Sequence, residues 1–513
     1  MTTRIGQWLD RLSSALAPVW TLRRRRARIA GELMQRHYEA AATGRRTQGW
    51  NRAGSTDANA ANSGLARLRE VARDLVRNNS YAESALSTIV DHAVGWGIVA
   101  KPNKKSGTAA ARNQAEDRWK AWAETTACDA DGRLDFAGIQ KLVMRTAVES
   151  GEVLIRRRWR RPEDGLPIPL QLQVLEPDYL DSAKDGVTTF GGGRIMQGIE
   201  FNAIGQRVAY WLFSEHPGSL FVGSVANASR SIPASEILHV FKNGRPGQIR
   251  GASWFAPVTL TLKDLDDYED AALMKQKIAA CLAAITTDVD GTSPALGTTT
   301  VEAPTVDMLE PGMIHNLAAG RSVTVVDPPS VNEHDAYAKT VLRKIATGLG
   351  VTYEDLTGDY GNMPFSAARM SRLRHWARVE DWRWRMLIPQ FCDPVWAWAM
   401  QAAIVGGMKV DVAPAAEWTP QPPAMLDPDA EARGYKTALR IGAITWADMV
   451  RERGYDPDAQ LAEIDEWNKK FDKIGAIFDG DPRKSTEQGQ PRDPAKAAPA
   501  LAPVTPNGNG GHA

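Results

Sequence analysis

RKIATGLGVTYEDLTGDYGNMPFSAARMSRLRHWAR, residues 343 to 378, decides the reading of the whole chain. An amphipathic segment closes at Gly348 and Gly350, and a polar, glycine-bearing loop follows from Thr357 to Pro364. Ser366 then opens a second helix that carries Arg369, Arg372, Arg374 and Arg378. Gly358, Asn362 and Pro364 suit a chain that must bend, and serine is a favoured N-cap residue. A bend between two helices, with arginines on the outgoing helix, suits contact with a phosphate polymer whose sequence is not read.

Composition narrows the classes around this stretch. A chain of 513 residues is too long for one core, so two to four sub-domains are expected. Its 43% hydrophobic and 24% charged content is that of a folded soluble protein. The formal net charge of +1 argues against tight DNA binding, which needs a basic excess to neutralise phosphates. A near-neutral balance fits a surface along which a duplex slides. Cys128, Cys281 and Cys392 lie far apart, with no Cys-x-x-Cys or Cys/His spacing, so neither zinc nor a disulfide framework is expected. The longest apolar run, Val395 to Gly407, falls short of the roughly 20 residues of a membrane span. A soluble, cytoplasmic protein with no membrane partner is the expectation.

Further from the loop, residues 1 to 20 are weakly amphipathic, and Arg23 to Arg28 form a basic run on what reads as a flexible arm. Leu65 to Val94 has helical spacing, and Ile98 to Pro102 reads as a strand. Phe136 to Ser150 reads as a helix and Glu152 to Arg158 as a strand ending in three outward arginines. Short strands follow at Leu170 to Leu175, Gly198 to Phe201 and Ala209 to Phe213. The pattern changes at Ser253, where a long helix runs to Thr287 with Val258, Leu262, Leu265, Ala272, Leu273 and Ile278 as its apolar stripe. Its acidic cluster, Asp264, Asp266, Asp267, Glu269 and Asp270, suits a helix N-terminal half. Turn-rich, β-leaning pieces fill Asp288 to Pro329, helix resumes near Asp335, and a Pro/Ala/Gly/Asn tail follows Pro482.

Most catalytic patterns fail on spacing. No Gly-x-x-x-x-Gly-Lys-Ser/Thr is present, so energy for moving a polymer must come from a partner. Asp129, Asp131 and Asp135 surround Gly132, but an EF-hand would put Gly138 where a bidentate Glu is required, so a turn is expected. Asp264, Asp267 and Asp270 share one side of a helix. They suit a solvated or channel-facing acidic stripe, which repeated around a ring would repel DNA phosphates, with metal-dependent nuclease chemistry as the alternative. Trp376, Trp382, Trp384, Trp396 and Trp398 alternate with Leu387, Ile388 and Val395, which favours packing over base stacking.

The string GVTYEDLTGDYGNMPFSAAR, residues 350 to 369, resembles a GVxYExLTxDYxxxxxSSAR signature of the lambda-type portal proteins of tailed bacteriophages. Further blocks resemble the same family in collinear order: Ala72 to Asn103, Phe136 to Trp159, Leu172 to Ser182, Gly198 to Gly218 and Ile232 to Val258. Together the resemblance covers roughly residues 20 to 470. It departs at Ala367, where the family more often has Ser, and at Asn202, where Asp is common.

The resemblance implies an α+β portal-type fold and a division along the chain: a basic arm (1–64), a wing (65–252), a first stem helix (253–287), a β-rich clip (288–333), a second stem helix (334–356), a tunnel loop (357–369), wing return helices (370–426), a helical crown (427–480) and a disordered tail (481–513). It implies a non-enzymatic ring of twelve subunits at the unique capsid vertex, without cofactor or metal. Duplex DNA would pass through it on packaging and on ejection, held weakly and without sequence preference. Partners would be the terminase large subunit, the major capsid or scaffold protein, and a head-completion or adaptor protein. Asn362, Met363, Phe365, Ser366 and Arg369 are the tunnel-loop candidates. A capsid scaffold or adaptor without a channel is the remaining alternative.

Overall fold

The computed structural model describes residues 57–59, 62–103, 105–187, 192–219, 228–280, 284–288, 321–325, 334–361, 363–410, 413–425, 427–455, 457–475 and 483–484. The basic run Arg23 to Arg28, Cys281, Asn362, most of the expected clip and the tail lie outside the described residues. The chain divides into two compact units, one of residues 1–62 with 245–249 and one of residues 63–244 with 250–513. In the first, the Asn59 side chain bridges to Gly247 and Ile249 through its amide donor and carbonyl oxygen, at 3.0 Å each. The second holds the helices and sheets of the described residues.

In chain order its elements are α1 (Leu65–Asn78), α2 (Ser80–Ala93), β1 (Val99–Pro102), α3 (Ala109–Ala123), α4 (Phe136–Ser150), β2 (Glu152–Trp159), β3 (Leu170–Leu175), β4 (Gly186–Val187), β5 (Arg194–Met196), β6 (Ile199–Phe201), β7 (Arg207–Leu212), β8 (Arg230–Pro233) and β9 (Ile237–Phe241). Then come α5 (Thr259–Ala280), β10 (Ala284–Asp288), β11 (Arg321–Val325), α6 (His334–Leu349), α7 (Tyr353–Thr357), α8 (Phe365–Trp382), a π-helical segment (Arg383–Cys392), α9 (Asp393–Val405), β12 (Ala416–Thr419), α10 (Pro428–Arg440), α11 (Trp446–Glu452) and α12 (Pro457–Ile474). The mixture is α+β, as the sequence predicts.

Every sheet among the described residues is antiparallel. β3-β2-β9 forms one, β4-β5-β6-β7-β8 a second, and β1-β12 and β10-β11 are two-stranded pairs. Local chemistry sets the boundaries. Asn79 caps α2 by accepting from Ala82 N, and Asp135 caps α4 by accepting from Gly138 N. The Asp129 carboxylate accepts from the backbone of Asp131, Arg133 and Leu134, so the acidic cluster there is a turn leading into α4. Asn202 closes the β6–β7 turn by accepting from Ile204 N and Gln206 N, a role its side-chain carbonyl fills as Asp would. Gly151 ends α4 at φ +91, and a Cβ there would overlap the Ala252 backbone.

The core runs through α1, α2 and α4 to the π-helical segment and α9. An aromatic group anchors it: Trp119 lies 4.8 Å from Trp396, and Phe136 stacks on Phe391 at 5.5 Å, centroid to centroid. Trp382, Trp396 and Trp398 are buried, as their spacing predicts, while Trp376 is half-buried and Trp384 exposed. Two buried indole donors find backbone partners: Trp122 donates to Leu170 O and Trp396 to Pro414 O. The π-helical segment contains Pro389, which has no N–H to give to a helical ladder; the chain widens there, and Asp393 N reaches Ile388 O, five residues back.

Three local expectations are corrected. The long helix spans Thr259–Ala280, with turns before it and a strand after it, instead of residues 253 to 287. Its acidic cluster therefore begins beyond the first turn, where the helix dipole has little effect. The arginines ending β2 do not all face outward, because strand side chains alternate; Arg157 lies over the Trp398 ring at 5.4 Å.

Candidate functional site: the loop between α7 and α8 and its base

α6 ends at Leu349, and Gly350, at φ +84, turns the chain so that both Gly350 N and Val351 N reach Ala346 O. Thr352 caps α7 by accepting from Asp355 N at 3.0 Å, and Gly358, at φ +72, closes it by donating to Glu354 O. A column of hydroxyls on α2 holds α7 down: Ser84 donates to Leu356 O at 2.9 Å and Thr88 to Asp355 O at 3.4 Å. His92 stands one turn further along the same face.

The loop itself is braced by short-range bonds. Tyr353 OH donates to Asp359, Tyr360 OH to Asp355 Oδ1 at 3.2 Å, and Gly361 N to Asp359 Oδ1. Helix α8 then starts at Phe365 with Pro364 at the N-cap, not with Ser366 as expected. The fixed φ of proline supplies the bend that a serine cap would otherwise hold, and its carbonyl accepts from Ala367 N and Ala368 N.

The tunnel-loop candidates separate. Phe365 is 58% exposed, and Ser366 and Arg369 are exposed or partly exposed beside it. Met363 is half-buried and lines a cavity of about 300 Å³ together with His92, Asp355 and His375. Arg372 is an anchor: its Nη2 donates to Ala424 O at 2.8 Å. Ala367, the departure from the family pattern, is exposed and takes part in the backbone bonding of the helix start.

Val258, just before α5, and Leu262, Leu265 and Ala272 on it are buried, whereas Leu273 of the expected stripe is exposed. At 100° per residue, Leu260, Asp264, Asp267 and Met274 share the opposite face. Leu260 is 75% and Met274 58% exposed, and Asp264, Asp267 and Asp270 stand at exposed or half-exposed positions. The last three are not among the described groups whose potential ligand atoms converge. Asp266 turns inward and accepts from Asn79 Nδ2 at 2.7 Å. α5 meets α6 through Tyr268, whose ring lies 5.5 Å from His334 and 4.5 Å from Tyr337.

Beneath the loop, His92 Nδ1 lies 2.8 Å from His375 Nε2, and His375 Nδ1 lies 3.2 Å from Gly350 O. A carbonyl oxygen only accepts, so His375 carries its proton on Nδ1, and His92 donates to the free Nε2. Burial lowers the pKa of both imidazoles below the ordinary histidine value, which keeps the pair neutral. The sequence offers no sign of this pair, because its members stand 283 positions apart.

A second ionic cluster lies at the start of β2. Glu152, without solvent exposure, receives Arg250 on both oxygens, Gly251 N at 2.8 Å and His239 Nε2 at 2.9 Å. Burial alone would raise its pKa; the Arg250 charge, then the His239 bond, hold it far below the usual carboxylate range.

Residues 43–383 match the family described as phage portal protein, lambda family. Among curated relatives, the probable portal protein of Halomonas phage phiHAP-1 is 26% identical over 80% of this chain and 81% of its own. Portal protein B of Escherichia phage lambda is 26% identical over 60% of this chain and 63% of its own. Among solved structures, a chain from the neck of an empty GTA particle aligns at 13% identity over 77% of this chain and 94% of its own, with a TM-score of 0.43.

Proposed function

The chain belongs to the lambda family of phage portal proteins, and from that premise we propose that it closes into a ring of twelve subunits forming the DNA channel of a capsid vertex. The terminase large subunit docks on the region of residues 288–333 during packaging, a head-completion protein replaces it there, and the genome later leaves by the same path. The chain contributes passage and docking; the energy of translocation comes from the terminase.

The observation that carries this reading is the second apolar edge of α5. Leu260 and Met274 stand on the face turned away from the helix's own core, beside Asp264 and Asp267. Exposed apolar groups at helical spacing are costly in water unless a neighbour covers them, and a rotational ring gives each subunit a neighbour on both sides. Asp264, at the margin of that edge, would then line the approach to the channel and repel phosphates, which prevents the duplex from sticking, while Asp267 lies between Leu260 and Met274 and is covered with them. Phe365, with Asn362, Ser366 and Arg369 beside it, would project toward the axis and touch the backbone of DNA without reading bases.

The test is negative-stain electron microscopy of the purified full-length chain, with mass determination of the particles. Closed rings with a hole wide enough for a duplex are expected. Monomers or irregular oligomers that persist across salt and protein concentration would overturn the reading.

A further inference from the structure

We propose that His92, Asp355 and His375 form a site for a transition-metal dication of tetrahedral preference, best matched by Zn²⁺, at the base of the loop between α7 and α8. The inference rests on the geometry of one subunit, not on the ring.

Each residue offers one ligand atom, and the three atoms lie within 4.8 Å of one another. They come from α2, α7 and α8, so the two elements flanking the loop would be joined to a third that is packed in the core. Two neutral imidazoles and a carboxylate are a common zinc donor set, leaving the fourth position to water. The surroundings are those of a ligand histidine: His375 gives its Nδ1 proton to Gly350 O, which fixes the ring and turns the Nε2 lone pair into the cavity. The His92 and His375 nitrogens stand 2.8 Å apart as a hydrogen-bonded pair. A tetrahedral zinc would part them to about 3.3 Å. The proton between them moves to His92 Nε2, so binding releases no proton from this pair. Asp355 must leave the Tyr360 hydroxyl and swing inward, a movement open to a half-buried side chain.

Charge around the cavity is mixed. Arg372 and Arg383 oppose a cation, but their guanidinium groups are directed at carbonyls: Arg372 at Ala424 O, Arg383 at Ala93 O and His92 O. Asp91 and Glu354 line the same cavity. The other described cluster, Glu176, Asp178 and His216, is more exposed, and its carboxylates are already paired with Arg69 and Arg73. It serves as the control.

The experiment is titration of the untagged full-length protein with Zn²⁺ against a chromophoric chelator, and with Co²⁺ followed by visible absorption. One dication per chain is expected, with the intense band of tetrahedral Co²⁺. Because second-shell changes alone cost about 10–100-fold in metal affinity, His375→Ala and His92→Ala should each weaken binding by at least about 100-fold, while His216→Ala leaves it unchanged. Zn²⁺ should also slow proteolysis within residues 358–364 in the wild type, a readout that needs no variant to fold. The proposal is overturned by absence of binding at tens of micromolar Zn²⁺ (above the micromolar Kd scale), by an octahedral Co²⁺ spectrum, or by binding that follows His216. Electron microscopy of the same sample reports the ring separately, so loss of one reading is not loss of the other.

Discussion

Arg250 meets Glu152 side-on, its Nε 2.9 and 3.0 Å from the two carboxylate oxygens and its Nη2 2.5 Å from one of them, where the carboxylate has no exposure to water. The pair ties the first residue of β2 to the segment that enters α5. Around it, Gly251 gives its N–H to Glu152, and a Cβ at Gly251 would overlap the Gly151 carbonyl oxygen. The β2 sheet and the segment leading into α5 therefore meet through a charged contact that tolerates no added bulk.

Removing one member of that pair leaves the other charged and buried. Glu152→Ala should cost about 3–5 kcal/mol, measured by urea unfolding of the full-length protein. A loss below about 1 kcal/mol, the scale of a surface pair, would mean the contact is not maintained in solution.

The same contact makes stability depend on acid. His239 Nε2 donates to Glu152 while its Nδ1 faces Arg207 Nη1 at 3.4 Å, so the imidazole is neutral, and burial lowers its pKa. Glu152 is lowered as well. A group with a depressed folded pKa contributes stability above its unfolded pKa and loses it as pH falls through the folded one. The unfolding midpoint should therefore decline as pH drops below about 6.5, and more steeply below about 4.3. Arg69, Arg250 and Asp178 face this cluster. A flat profile from pH 7 to 4 contradicts the assignment.

Gly151→Ala places a Cβ at φ +91 against the Ala252 backbone. The backbone term alone is about 1–2 kcal/mol. Loss of soluble expression or a comparable drop in unfolding free energy is expected; an unchanged midpoint would show that α4 can end elsewhere.

Leu260→Glu combined with Met274→Glu alters only exposed positions of α5, so circular dichroism should match the wild type. Rings should be lost by mass measurement and microscopy. Intact rings would remove this edge from the subunit interface.

Phe365→Asp is expected to leave ring assembly intact and to impair retention of packaged DNA, scored by DNase-protected genome per particle. Failure of rings to form would make the loop structural instead.

How much of this is legible in the sequence depends on length and proximity. Strongly periodic stretches such as Leu65 to Val94 and Phe136 to Ser150 form helices where their apolar spacing puts them. β4, β5 and β8 span only two to four residues, too few for alternation to register. β12 escapes a sequence reading for another reason: it is four residues long and pairs with β1, some three hundred positions earlier, so its identity lies in its partner. Helix α8 starts one residue before the expected Ser366, because the fixed φ of Pro364 outweighs the capping preference of serine. Phe365 and Arg369 stand out in the local sequence, but the His92–His375 pair does not, since only folding brings α2 against α8.

The β10–β11 register has a last implication. Asp288 pairs with Arg321, so the 32 positions numbered 289 to 320 leave and rejoin the body at adjacent points. Closing a longer excursion at such a clasp costs only about 0.6 kcal/mol per doubling of length. The hairpin is thus a socket: what it carries can be exchanged, lengthened or replaced by a foreign module while the paired helices below keep their spacing. A lineage could change the length of the segment between these strands without redesigning the rest.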